Sequence, residues 1–143
     1  MIGHYLTMIV ISLVSGILSG MWVWADKLSD IRLSINDIYM AGLMTALMIF
    51  FMALLDRHYI WIVGSVIVVG LILWAIRTQA FVAKSQYFSG MIPHHSMAVL
   101  TSKGLLRNQG LDLSPDEQHF VEQIIKTQER EIAWMKSHVE NRK

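Results

Sequence analysis

Three runs of this chain, from Tyr5 to Ala25, from Ile38 to Leu55 and from Tyr59 to Ile76, contain no Asp, Glu, Lys or Arg. The hydrocarbon core of a bilayer is about 30 Å thick and a helix rises about 1.5 Å per residue, so roughly 20 apolar residues suffice to cross it. A backbone in lipid must satisfy its own hydrogen bonds, and each run is therefore predicted to be a spanning helix. Tyr5, Trp22, Trp24, Tyr39, Tyr59, Trp61 and Trp74 fall near the ends of the runs, where amphipathic rings prefer the headgroup level. The first run is not expected to be a cleaved signal. It is too long, it lacks a basic lead, and further spans follow it.

Composition narrows the chemistry. The 143 residues are 54% hydrophobic and 16% charged, far from the balance of a soluble domain. A net charge of +1 leaves no electrostatic footprint for nucleic acid. The chain has no cysteine, which removes disulfides, zinc-thiolate sites and thiol catalysis together. Soft-metal chemistry would have to use methionine and histidine. No Ser-His-Asp order, phosphate-cradling glycine loop or charged group within a span is present, so an enzyme is not expected.

Charge returns at Arg77, dividing the chain into a three-span region, residues 1–77, and an extramembrane segment, residues 78–143. Two helices are predicted in that segment. The later one opens at "SPDE", with Ser114 as cap, Pro115 in the first turn and Glu117 closing a capping box. Its seam is Val121, Ile125, Gln128, Ile132, Met135 and Val139. The earlier helix has the same rhythm at Met91, His95, Ala98, Ser102 and Leu105, or equally at Met91, His94, Ala98, Thr101 and Leu105, so the two histidines are expected to straddle one seam. Asn108 and Gly110 mark a stop between the helices. The fold class is therefore all-α: three transmembrane helices followed by an extramembrane antiparallel helical hairpin, turning about residues 111 and 112.

Folding the hairpin there sets His94 and His95 beside Gln128, Glu131 and, less closely, Met135, and leaves His119 at a distance, as a surface residue. Imidazole and thioether groups suit copper, methionine favouring Cu(I). The candidate ligands are Met91, His94, His95 and Met135, with Gln128 and Glu131 orienting them. Ordinary seam packing is the competing reading. His138 and Met97 lie nearby as extra candidates. Pro93 either kinks a continuous helix, freeing the Ser89 carbonyl, or occupies the first turn of a new one.

"YFSGMIPHHSMAVLTS" and, further along, "EQIIKTQEREIAWMKSHV" together closely resemble the domain-of-unknown-function family numbered 305. That family is ferritin-like and helical, with a Met-Ile-Pro-His-His helix and a Gln-x-x-Glu-Ile-x-x-Met helix. The matching residues here are Met91, Ile92, Pro93, His94 and His95, then Gln128, Glu131, Ile132 and Met135. The chain also looks like the membrane-anchored members with three preceding spans. The resemblance implies a copper-binding role, in copper homeostasis or tolerance, carried by Met91, His94, His95 and Met135. Soluble relatives often carry an acidic residue before the first motif, where this chain has Lys84 and Ser85.

In the second span, Met40, Met44, Met48 and Met52 recur every fourth residue, either as flexible packing or as a thioether stripe for passing Cu(I). In the first, Ser12, Gly16 and Gly20, with Ser15 and Ser19 beside them, form a small-residue face for close helix packing. Lys27, Arg32, Arg77 and Lys84 outnumber Arg57 and the terminal amine, which by the positive-inside rule would put the C-terminal segment in the cytoplasm. The resemblance implies an extracytoplasmic copper domain on a multi-pass inner-membrane protein, and a cysteine-free Met/His site also suits an oxidising compartment. A hairpin cannot bury its own seam together with Phe120, Ile124 and Trp134, so a homo-oligomer is expected. Membrane lipid and copper-handling proteins are the other expected partners. The alternative functions are a structural or assembly membrane protein with packing histidines, and a Cu(I) conduit along the methionine stripe.

Overall fold

A computed structural model describes residues 2–110 and 112–140. All of its regular structure is helical: α1 (Ile2–Leu18), α2 (Ile35–Leu55), α3 (Tyr59–Thr78), α4 (Lys84–Gln109) and α5 (Pro115–Glu140), with 3-10 turns at Met21–Trp24 and Leu28–Asp30. No strand occurs among the described residues. Gly3–Trp24, Ile35–Leu55 and Tyr59–Thr78 are long and apolar enough to cross a membrane.

The chain forms two compact units, one comprising the residues up to Gly20 with Ile35–Val82, the other Met21–Ser34 with the chain from Ala83 onward. In the first unit α2 packs against both α1 and α3. The small-residue face of α1 is used within the chain: a Cβ on Gly16 would lie 2.9 Å from both Cα and Cβ of Ala41, and Ser12 is buried. Tyr5, Ile49 and Ala53 make the core, with Met52 and Trp61 packed against it. A tight reversal joins α2 to α3. Arg57 takes a left-handed φ of 58°, and the His58 N–H reaches back 2.8 Å to the Ala53 carbonyl.

In the second unit α4 packs against α5 and also against the two 3-10 turns. Ile92, Val99, Ile132 and Met135 form its core, with Phe88, Met91, Ile125 and Val139 packed around them. The α5 start behaves as its sequence predicts: the Ser114 N–H donates to Glu117 Oε2 at 2.8 Å and the Glu117 N–H to Ser114 Oγ at 3.3 Å. The Ser114 N–H and hydroxyl, both donating to its carboxylate at 2.8 Å, hold Glu117 below the usual range.

Two local expectations need correcting. Pro93 does not begin a helix; it lies buried inside α4. The buried row of α4 is Ile92, Pro93, Ser96 and Val99, and neither histidine-centred row occupies it. The reason is a second partner. Residues 21–34, which the sequence divides between the end of the first apolar run and a connecting loop, cover another side of α4 and shift its buried face toward Ser96. Of the turn expected about residues 111 and 112, Leu111 lies outside the described residues; Gly110, expected at the helix stop, keeps a right-handed conformation.

Candidate functional site

The MIPHH segment lies in the middle of α4, where one helical turn carries Met91, His94 and His95. The structure separates the three. Met91 is half-buried and packs against the core cluster that contains Met135. His95 is largely covered, its side chain 17% exposed, and its Nδ1 lies 3.5 Å from Glu131 Oε2. His94 is exposed, its ring centroid 6.0 Å from that of His95 with the planes at 61°. Met135 is 5% exposed. Of the predicted set, then, His95 meets Glu131, Met91 joins the Met135 cluster, and His94 faces outward.

The electrostatics of His95 favour a neutral ring. Burial pushes its pKa below the ordinary value, the Glu131 carboxylate opposes this, and His94 adds to the lowering. At neutral pH the 3.5 Å approach is therefore not a salt bridge. It is not a hydrogen bond either, and Nδ1 is buried without a hydrogen-bond partner. Gln128 Oε1 is buried and unpartnered in the same way. An unsatisfied buried polar atom carries a desolvation cost that a ligand would relieve. A neutral imidazole nitrogen offers the lone pair that a transition metal takes. Among the described residues no three His, Asp or Glu side chains group to hold a metal ion. The other soft donors of this unit near α5 are the thioethers of Met91 and Met135, which share one core cluster.

A second polar constellation borders this face. The Ser96 hydroxyl, fully buried, donates to Asp30 Oδ2 at 2.6 Å and accepts from the Asp26 N–H at 2.8 Å. Asp30, 2% exposed, also pairs with Lys136 and accepts from Ser29. Burial alone would raise its pKa, but Lys136, Ser96 and Ser29 together hold the carboxylate below its usual range. Lys103 bridges Asp26 at 2.8 Å and Glu129 at 3.1 Å, and its hydrogen bond to Asp26 raises its own pKa. Asp26, Asp30, Ser96, Glu129 and Lys136 line a cleft of about 140 Å³. No motif or periodicity in the sequence singles out Asp26 or Asp30. The available signal was a pair of acids in a short loop, matched by Lys103 and Lys136 with a serine directly after the two histidines.

The remaining candidates are dispersed. His119 is hydrogen-bonded to Gln123 at 2.9 Å. His138 stacks on Trp134 with ring centroids 3.9 Å apart. In the first unit Met40, Met44 and Met48 face outward, whereas Met52 is half-buried against the Tyr5 cluster. The Tyr5 hydroxyl donates to Asp56 at 2.8 Å, and Tyr5, His4, Asp56 and His58 border one cavity.

No family model matches the chain, and no solved structure matches it. An uncharacterized protein of Acanthamoeba polyphaga mimivirus is 40% identical over 143 aligned residues, covering 96% of this chain and 92% of that protein.

Proposed function

This chain belongs to the family of that mimivirus protein, and we propose that it is a membrane-anchored copper-binding protein that sequesters copper or hands it on. The carrying observation is the largely covered His95 ring, whose buried Nδ1 has no hydrogen-bond partner. It stands one helical turn from Met91, whose cluster holds Met135. Bound copper would be held by His95 with the Met91 and Met135 thioethers, and Gln128 and Glu131 would orient the imidazole. His94, exposed on the same turn, would be the ligand that first meets the ion or passes it to a copper-handling partner. The resemblance to the ferritin-like family numbered 305 implies these residues together with His94 as a fourth ligand. In this reading α4 and α5 form an antiparallel hairpin outside the bilayer, the protein is a multi-pass inner-membrane protein, and its C-terminal domain is extracytoplasmic.

Lipid surrounds the three spans, and copies of the chain associate to cover exposed apolar side chains such as Phe120 and Trp134. The test is a Cu(I) and Cu(II) titration of the purified protein against His94→Ala/His95→Ala. Equal affinities would remove the proposal and favour the structural or assembly role.

A second reading rests on α2. Met40, Met44 and Met48 face outward, so copies of the chain associating through α2 would bring thioethers together as a Cu(I) conduit.

A further inference from the structure

The histidine-bearing helix is held from two sides within its own unit. On one side His95 faces Glu131 of α5. On another, Ser96 is fixed to the 21–34 segment by two hydrogen bonds, 2.6 Å to Asp30 and 2.8 Å from the Asp26 N–H. Successive residues of an α-helix point about 100° apart, so fixing Ser96 also fixes where its neighbours point. With Ser96 turned toward Asp30, His95 is presented to α5 and His94 to the exterior. The sequence pattern alone favours a different rotation, in which Met91, Ala98 and Leu105 are central and both histidines flank the seam.

We propose that Asp30, acting through Ser96, is a positioning residue that sets the rotation of α4 about its axis, so that His95 meets α5 and His94 does not. Lys136 holds the other oxygen of Asp30 and itself belongs to α5, so the acid joins the loop segment to both helices. Lys103 repeats the arrangement one step along, joining Asp26 to Glu129 of α5. Gly90 belongs to the same contact, since a Cβ there would stand 2.9 Å from Ser34 Oγ. That close approach holds α4 against the loop at a second point on the helix. The role of this device in presenting His95 to copper rests on the copper reading; the rotation itself does not.

The native chain has no cysteine, so a single introduced thiol reports its own exposure. Full-length protein in detergent, with chelator and no copper, carries either His94→Cys or His95→Cys, and maleimide labelling rates are measured. In the parent background the first is expected to react about tenfold or more faster than the second. Adding Ser96→Ala should slow labelling at position 94 severalfold, because α4 turns that position toward the seam. Local unfolding can only accelerate labelling, so a slowing separates rotation from general loosening. Asp30→Asn, which keeps the side-chain shape, provides the same comparison if the alanine variant does not accumulate. Unchanged or faster labelling at position 94 in the variant overturns the proposal. Copper titration of the parent protein distinguishes the two readings: labelling that slows in a protein without copper affinity leaves the positioning role standing and removes the copper role, and the reverse result does the opposite.

Discussion

Ser96 donates a 2.6 Å hydrogen bond to Asp30 across 66 positions of sequence, and neither side chain has appreciable contact with solvent. A buried carboxylate is tolerated only when its oxygens are occupied, and here Ser29, Ser96 and Lys136 occupy them. Removing the acid takes the carboxylate acceptor from two hydroxyls and an ammonium. Asp30→Ala is expected to destabilise the second unit by about 2–4 kcal/mol, toward the low end because Lys136 retains access to water. Ser29→Ala should cost less than about 1 kcal/mol. Thermal unfolding followed by circular dichroism compares the two.

The same carboxylate sets an acid limit. Its folded pKa lies below the unfolded value of about 3.9, so the folded state binds fewer protons in the interval between them. The stabilisation is complete above the unfolded value and is lost as pH falls through the folded one. Stability attributable to Asp30 should therefore stay flat from neutral pH to about pH 5 and decline below about pH 4. Asp30→Asn should flatten that limb, and unfolding midpoints measured across the range check it.

Copper affinity should divide unequally between the two histidines. His95→Ala removes the covered nitrogen and is expected to weaken Cu(I) binding about 100-fold, whereas His94→Ala, on the exposed side, should cost about tenfold or less. Met135→Leu conserves core volume, costs under about 1.5 kcal/mol in stability and should still lower Cu(I) affinity. Competition with a chromophoric Cu(I) chelator measures all three.

The close approach of α1 to α2 depends on the absence of a side chain at Gly16. A Cβ there would meet Ala41 at 2.9 Å, so Gly16→Leu should separate the helices and destabilise the first unit by about 1–3 kcal/mol. Detergent thermal stability, read by tryptophan fluorescence, provides the measurement. Gly64 has open space around a built Cβ, and Gly64→Ala should leave stability within about 0.5 kcal/mol.

If the outward methionines of α2 conduct Cu(I), Met44→Leu/Met48→Leu should abolish uptake into liposomes while leaving binding at α4 unchanged. Retained uptake would assign the stripe to packing.

Much of this architecture is readable in the residues because it follows from one-dimensional rules. The charge-free runs match α2 and α3 closely in length, and "SPDE" names the start of α5 from cap chemistry alone. What periodicity could not supply is the phase of α4. An apolar repeat marks the face turned toward one neighbour, but α4 has two, and the second is a loop with almost no pattern of its own. Ser96 and Asp30 therefore read as ordinary polar residues, and Ile92, outside both candidate seams, turns out to be fully buried. The outward position of His94 follows from that same missed contact.

The partners of the 21–34 loop lie far ahead in the chain: Ser96 is 66 positions from Asp30, Lys103 is 77 from Asp26 and Lys136 is 107 from Ser29. At a synthesis rate of about 5–20 residues per second, the loop waits about 3–20 seconds for them while α2 and α3 are made. During that interval both aspartates are unmatched, and they acquire their cations only after α4 and α5 have emerged. A chain released after α3 would keep Asp26 and Asp30 without the lysines that match them.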